Sequence, residues 1–274
     1  MKAAAPKFKK LYKYKSYTLR RSGWSLDEAN GRIRIGHKWY RYHQSRNIEG
    51  KVKTVTVKRD LLGDIYVYLC CDTQCETVKF RSGKRVGFDF GLKNFLTASD
   101  GKDIESPDFF TLNAKIIKAK HRKLSRKKKG SRNYEHARLD LDRSYKKLVN
   151  QRKDFHFKLA HRLCKQYAVI CLEYLNISSM ARRWGRKIQS LGFSEFVKIL
   201  MYEAEKFGTR IIFIDRFYPS SQTCSECGYR NKAVKDLNIR EWDCPSCGTH
   251  HDRDRNAAKN ILRVGMATLL QENQ

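Results

Sequence analysis

The chain has 274 residues, 41% of them apolar and 12% aromatic, enough to fill one large core or two modest ones. Fifty-eight Lys and Arg against 28 Asp and Glu give a formal net charge of +30, far beyond what solubility requires, and the cations are spread through folded-looking segments. That distribution points to nucleic acid as the polyanionic partner and argues against a membrane surface.

No apolar run reaches 18 residues, and the basic stretch from Met1 to Lys10 lacks the apolar segment of a secretory signal, so a cytoplasmic protein is expected. The nine cysteines are odd in number and four of them form two C-x-x-C pairs, which disfavours a secreted disulfide framework.

From Lys7 to about Phe80, aromatic and β-branched residues alternate with polar ones in LYKYKSYTL, GRIRIG, KVKTVTVKR and DIYVYLCC, separated by Gly, Asn and Asp turns. This predicts a small antiparallel barrel or sheet over residues 1–82. One of its faces carries Tyr12 and Tyr14 interleaved with Lys13 and Lys15, a pattern that suits base stacking with phosphate contact and equally suits ordinary cross-strand pairs. Cys70, Cys71 and Cys75 lack a second ligand pair and read as small apolar residues, as do Cys164 and Cys171.

The segment RVGFDFGLKNFLTASDGKDI predicts a β-hairpin whose first strand presents Asp89 between Phe88 and Phe90, where an unpaired carboxylate is costly unless it is paired or holds a metal. Residues 111–166 are helical in character. Leu141, Tyr145, Leu148, Phe155, Leu159 and Leu163 are spaced three or four apart along one long amphipathic helix. Ahead of it lies a cationic run ending at Gly130, expected to break a helical hairpin. This run has no internal acid to pair with and is expected to meet a nucleic-acid backbone through Lys115, Lys118, Arg122, Lys123, Arg126, Lys127, Lys128 and Lys129, joined by Arg152 and Lys153 on the following helix.

AVICLEYL is a short strand that exposes Glu173 just before a loop around Asn176. SEFVKILMYEAEKFG is a second amphipathic helix closed by Gly208, and TRIIFIDRF is a further buried strand with Asp215 at its end. The last segment, from about Arg253 to Leu270, reads as a helix with Asp254 in its first turn, where the helix dipole favours an acid.

Two constellations carry chemistry. Cys224 and Cys227, sixteen intervening residues, then Cys244 and Cys247, with Gly228 and Gly248 after the second cysteine of each pair, make two knuckles around one tetrahedral zinc ion. Four protein thiolates leave no open position, so this zinc is structural. The neighbouring His250 and His251 are expected to be loop residues. The second constellation is Asp89, Glu173 and Asp254, three acids at element ends or in a buried-type strand, of the kind that hold Mg2+ ions for phosphodiester hydrolysis when they converge.

The segments GFDFGLKNFLTASDG, KLSRKKKGSRNYEHARLDLDRSYKKLVNQRKDFHFKLAHRL, VICLEYLNISSM, RFYPSSQTCSECG and CPSCGTHHDRDRNAAKNIL, in this order through nearly the whole chain, resemble the TnpB (OrfB) family of transposon-encoded RNA-guided nucleases, which are related to type V CRISPR effectors. The resemblance implies an α/β fold: an RNase H-like (RuvC) nuclease domain over residues 83–218 and 250–274, containing the basic helical insertion 111–166. It further implies an inserted four-cysteine zinc ribbon at 219–249 and a preceding wedge-type antiparallel β-barrel at 1–82.

By the same resemblance Asp89, Glu173 and Asp254 are the catalytic acids, holding two Mg2+ ions, and Asp252 is the lesser candidate, since the D-x-N-A pattern begins at Asp254. Guide RNA and target DNA are the implied partners, with base pairing supplying sequence specificity. Family members usually begin with about a hundred further residues, so the chain reads as a short member. A nucleic-acid-binding remnant or repressor that does not cut is the competing reading. A DNA-joining transposase is weaker, for want of an H-u-H pair with a Tyr nucleophile.

Overall fold

The computed structural model describes residues 14–72, 83–107, 109–174, 185 and 188–272. The chain divides into two compact units, residues 1–75 and 76–274.

Among the described residues of the first unit there are six strands. They are β1 (Ser16–Leu19), β2 (Trp24–Asp27), β3 (Arg32–Ile35), β4 (Lys38–Arg41), β5 (Lys51–Arg59) and β6 (Ile65–Asp72). Among the described residues they assemble as two three-stranded antiparallel sheets, ordered β1-β5-β6 and β2-β3-β4. The antiparallel strands expected from the alternation are present, and β1 skips the intervening β2–β4 meander to pair with β5, Tyr17 opposite Val57. Period-2 alternation sends Val55 inward to full burial, with half-buried Val57 and Val67 on the same side, and leaves Thr56, Lys58, Tyr66 and Tyr68 on the other face. Tyr12 and Lys13 lie outside the described residues, as does Cys75; Tyr14 and Lys15 are exposed.

The second unit is built on a five-stranded mixed sheet ordered β11-β10-β7-β8-β9. The hairpin expected around Asp89 is β7 (Arg85–Phe90) with β8 (Asn94–Ala98), followed by the short β9 (Ile104–Glu105). Strands β10 (Val169–Glu173) and β11 (Arg210–Ile214) run parallel to β7. Between hairpin and β10 stand helices α1 (Phe109–Ser125) and α2 (Arg132–Gln166), broken at Gly130, with Ser131 capping α2 by accepting the Tyr134 N–H. Helix α3 (Phe193–Phe207) precedes β11, and α4 (Arg253–Glu272) closes the unit.

Because the central strands are covered on both faces, they read as nearly continuous apolar runs. On one face Val86, Phe88, Phe90, Ile170 and Leu172 pack against Leu159 and Leu163 of α2 and Phe193, Phe196 and Leu200 of α3. On the other, Val169, Cys171, Ile212 and Ile214 pack against Ile261 and Leu269 of α4. Cys164 and Cys171 are buried as expected, while Cys70 is exposed and Cys71 half-buried. Among the described residues no helix is long and apolar enough to cross a membrane.

Candidate active site and zinc ribbon

The four cysteines come together. Their sulfurs all lie within 4.8 Å of one another, with Cys224 Sγ 3.7 Å from Cys247 Sγ and Cys227 Sγ 3.5 Å from Cys244 Sγ. Four thiolates at the usual zinc–sulfur length of about 2.3 Å in a tetrahedron stand about 3.8 Å apart, so the cage fits zinc. Each knuckle closes through its glycine: Gly228 and Gly248 have positive φ, 79° and 71°, and their N–H groups donate to the carbonyls of Cys224 and Cys244 at 3.0 and 2.8 Å. Thr249, by side-chain and backbone hydrogen bonds, holds the Cys247 thiol down at about 6. Burial pushes Cys224 up to about 11 in the metal-free site, and coordination deprotonates such a thiol outright.

Contrary to expectation, His251 is not a loop residue. It sits in β13 (His250–Asp252), paired with β12 (Glu241–Asp243), buried and tilted against Trp242 with its Nε2 3.0 Å from Cys224 Sγ. Four cysteines already fill a tetrahedron, so His251 serves as a hydrogen-bonding support for a ligand. Its place two residues before the helix, in a ribbon with one tryptophan, was not readable from cysteine spacing.

The carboxylates are brought together by strand register. In the parallel pairing Leu172 faces Phe88, so Glu173 stands beside Asp89 one residue on. Phe88 and Leu172 point to the α2–α3 face, and alternation turns Asp89 and Glu173 to the α4 face. There α4 lies hard on the sheet: a Cβ on Gly87 would stand 2.3 Å from the Ala258 carbonyl and 2.6 Å from the Leu262 nitrogen. Asp254 is one helical turn before Ala258, in the first turn of α4.

The electrostatics report the convergence. Burial first, then the charges of Glu173 and Asp254, raise the Asp89 carboxyl well above the usual range, with Arg253 opposing. Burial pushes Glu173 up to about 7. Asp254 is more open and pairs with Arg240 at 3.5 Å. Asp252 has a different task, accepting the Arg255 N–H at 2.8 Å as the cap of α4. Among the described residues only the four cysteines place three or more ligand atoms within 4.8 Å of one another, so the carboxylate cluster is the looser of the two.

One set of residues ties both centres to a single helix. Asn256 accepts the Ser225 N–H at 2.9 Å and donates to the Thr223 carbonyl at 2.7 Å, and Asn260 donates to the carbonyls of Ser220 and Thr223 at 2.9 and 2.6 Å. Arg253 donates to the Asp236 carbonyl at 2.7 Å. Both asparagines are buried, four residues apart among Ala257, Ala258 and Ile261. The sequence signal for this tie is two amides, Asn256 and Asn260, one helical turn apart on the apolar face of a helix.

Of the expected phosphate contacts, Lys115, Lys118, Arg122, Lys123 and residues 126–129 are exposed on α1 and the turn after it, and Arg122, Lys123, Arg126 and Lys127 line one shallow cleft. The neighbouring Lys120 is held by Asp140 of α2 at 2.9 Å. Lys153 is exposed. Arg152 differs: its guanidinium pairs with Glu195 at 3.0 Å and donates to the Gln189 carbonyl at 3.1 Å, so it braces α2 against α3.

Residues 68–183 match the OrfB_IS605 family model, described as "Probable transposase", and residues 193–261 match the Cas12f1-like TNB domain. A "Putative RNA-guided DNA endonuclease" of Streptomyces pristinaespiralis is 35% identical over 78% of this chain and 53% of its own length. "Putative RNA-guided DNA endonuclease InsQ" of Escherichia coli K12 is 30% identical over 98% of this chain and 70% of its own. The cryo-EM structure of a Cas12f1–sgRNA–target DNA complex shares the fold at TM-score 0.55 and 18% identity, covering 77% of this chain and 45% of that one. With both family models falling in order along it and 98% of its residues aligned to 70% of InsQ at 30% identity, the chain belongs to the TnpB (OrfB) family of IS605-type proteins.

Proposed function

We propose that the chain is an RNA-guided DNA endonuclease that hydrolyses phosphodiesters at Asp89, Glu173 and Asp254 with two Mg2+ ions. The observation that carries this reading is the juxtaposition of Asp89 and Glu173 on adjacent parallel strands, facing the helix that bears Asp254, with Glu173 raised by burial and Asp89 raised by burial and then by the charges of Glu173 and Asp254. Acids crowded in this way bind hard divalent cations in preference to standing ionised alone.

Bound Mg2+ would supply an activated water and a stabilised leaving oxygen. The side chains position the ions: Asp89 from the sheet centre, Glu173 from the strand end, and Asp254 from a helix fixed at its first turn to the zinc ribbon. We assign residues 83–218 and 250–274 to a RuvC-type, RNase H-like domain, 219–249 to the ribbon and 1–82 to a wedge-like module. Guide RNA and target DNA are the proposed partners, with the exposed cations of residues 115–129 and Lys153 following the phosphate backbone.

The test is guided cleavage in Mg2+ by wild type and by Asp89→Ala, Glu173→Ala and Asp254→Ala, beside filter binding of the same RNA and DNA. Each variant is expected to lose cleavage while keeping most of its affinity. Equal cutting by wild type and variants removes the assignment; tight guided binding by a wild type that never cuts selects a non-cutting binding protein.

A further inference from the structure

Helix α4 holds the chain on both sides of Cys224. The Thr223 carbonyl, one residue before this cysteine, accepts from the side chains of Asn256 and Asn260 at 2.7 and 2.6 Å. The Ser225 N–H, one residue after it, donates to Asn256 Oδ1 at 2.9 Å. The Cys224 N–H donates to the Tyr229 carbonyl at 2.8 Å and its carbonyl accepts the Gly228 N–H at 3.0 Å, so the turn of the knuckle and the helix grip the same three residues. From Cys224 to Asp254 the path is one neighbouring residue, one hydrogen bond and two residues of helix.

Two further observations bear on this contact. The second knuckle has Pro245 where the first has Ser225 and offers no N–H at that place, so the donor Asn256 receives belongs to the first knuckle alone. Asn260 is fully buried and donates to the Ser220 and Thr223 carbonyls, yet its own side-chain oxygen has no partner among the described residues. The amide is committed to the ribbon loop at the cost of its own acceptor.

We propose that Asn256 and Asn260 couple zinc occupancy of the ribbon to metal affinity at the carboxylates, as positioning residues that keep Asp254 in place while the first knuckle is closed. This rests on the nuclease reading of Asp89, Glu173 and Asp254. Without a coordinated Cys224, Thr223 and Ser225 have no fixed place, and the first turn of α4 loses its hold on that loop. The sheet contact at Gly87 and the Arg255–Asp103 pair remain, so the helix stays docked while its acid drifts. The two asparagines are thus a contiguous network between the centres, and by reciprocity metal at the carboxylates tightens zinc in the ribbon by the same factor.

The experiment uses the full chain with Mn2+ as the probe, a hard ion suited to carboxylate ligands, the free ion being counted by electron paramagnetic resonance. Zinc is stripped with a chelator that is then removed by gel filtration. The Mn2+ binding that Asp89→Ala abolishes is expected to weaken about tenfold or more on zinc removal. In Asn256→Ala/Asn260→Ala it should be about tenfold weaker with zinc still bound, and zinc removal should then change it by less than about twofold. Ser225→Pro keeps the turn that Pro245 makes in the second knuckle and removes the N–H. It should weaken Mn2+ at full zinc content and add nothing to the loss in Asn256→Ala, a comparison that needs no zinc-free protein. Amide hydrogen exchange over residues 253–260 should quicken about tenfold on zinc removal in wild type.

Mn2+ affinity indifferent to zinc in wild type overturns the coupling. So do asparagine and Ser225→Pro variants that melt lower but bind Mn2+ as wild type does, which leaves these residues as packing alone. If wild type binds no Mn2+ that Asp89→Ala removes, the metal-site reading fails by itself. Hydrogen exchange then decides the coupling: quickening over residues 253–260 sustains the link from knuckle to helix, and unchanged exchange removes it.

Discussion

Gly87 is the point at which the sheet and α4 touch, and Gly87→Ala tests whether that contact sets the position of Asp254. Its φ is not positive, so alanine costs nothing in backbone conformation and the clash acts alone. The added Cβ would meet the Ala258 carbonyl at 2.3 Å, the Leu262 nitrogen at 2.6 Å and Leu262 Cβ at 2.9 Å, and two of these are helix backbone that no rotamer change can clear. Restoring an ordinary contact of about 3.4 Å requires α4 to retreat by about 1 Å. Overpacking of this kind costs about 1–3 kcal/mol, or about 2–12 °C in the melting temperature of a unit this size.

The helix cannot retreat freely, because Asn256 and Asn260 hold its other side to the ribbon loop. Asp254 is therefore displaced relative to Asp89 and Glu173, and a misplacement of about 1 Å lowers the cleavage rate about 100-fold. Thermal melts and guided cleavage on the same preparation, with zinc content as a control, measure both effects. Full-rate cleavage at the wild-type melting temperature refutes the packing argument. A lowered melting temperature with cleavage untouched refutes the coupling of Asp254 to that contact.

Three further outcomes are expected. Cys224→Ser or Cys247→Ser should drop zinc from about one equivalent to under about half and loosen the ribbon, read by metal analysis and limited proteolysis; full zinc retention contradicts the cage. Replacing Arg126, Lys127, Lys128 and Lys129 with Gln should flatten the dependence of log affinity on log salt by up to about 3–4, and an unchanged slope assigns the run to solvated surface. In metal-free protein Glu173, raised to about 7, contributes stability that is complete below about 4.5 and lost as pH climbs through 7. Buried His156, lowered to about 4, works the opposite way below 6.5. The comparison is therefore between wild type and Glu173→Gln: the difference in melting temperature should change across pH 4.5–7, and Mg2+ should stabilise wild type alone above 7.

What the sequence made legible were features with local grammar. Two C-x-x-C knuckles with their glycines, the hairpin at Asp89, the helix stop at Gly208 and the break at Gly130 each depend on a few adjacent residues. What it hid were consequences of long-range pairing. No alternation within LYKYKSYTL shows that Ser16–Leu19 will skip three strands to reach β5. Arg152 looks like any other cation in its run until Glu195, 43 residues later, arrives to take it. Nothing around Gly87 in the strand RVGFDF shows why it must be glycine, because the helix that presses on it begins at Arg253. Asp89, Glu173 and Asp254 stand out singly as acids at element ends or in a buried-type strand, with their shared role implied by the family resemblance, and the register that sets the first two side by side belongs to the folded sheet.

The order of the elements along the chain also fixes when the sheet is finished during synthesis. Asp89 and Glu173 are separated by the α1–α2 hairpin, and the third acid lies on the helix that covers the last bare face of the sheet. A chain interrupted anywhere before Arg253 has neither that acid nor a cover for Val169, Cys171, Ile212 and Ile214. Its apolar sheet face stands bare, the kind of surface that recruits chaperones and proteases, so the twenty residues of the helix decide whether the sheet is finished.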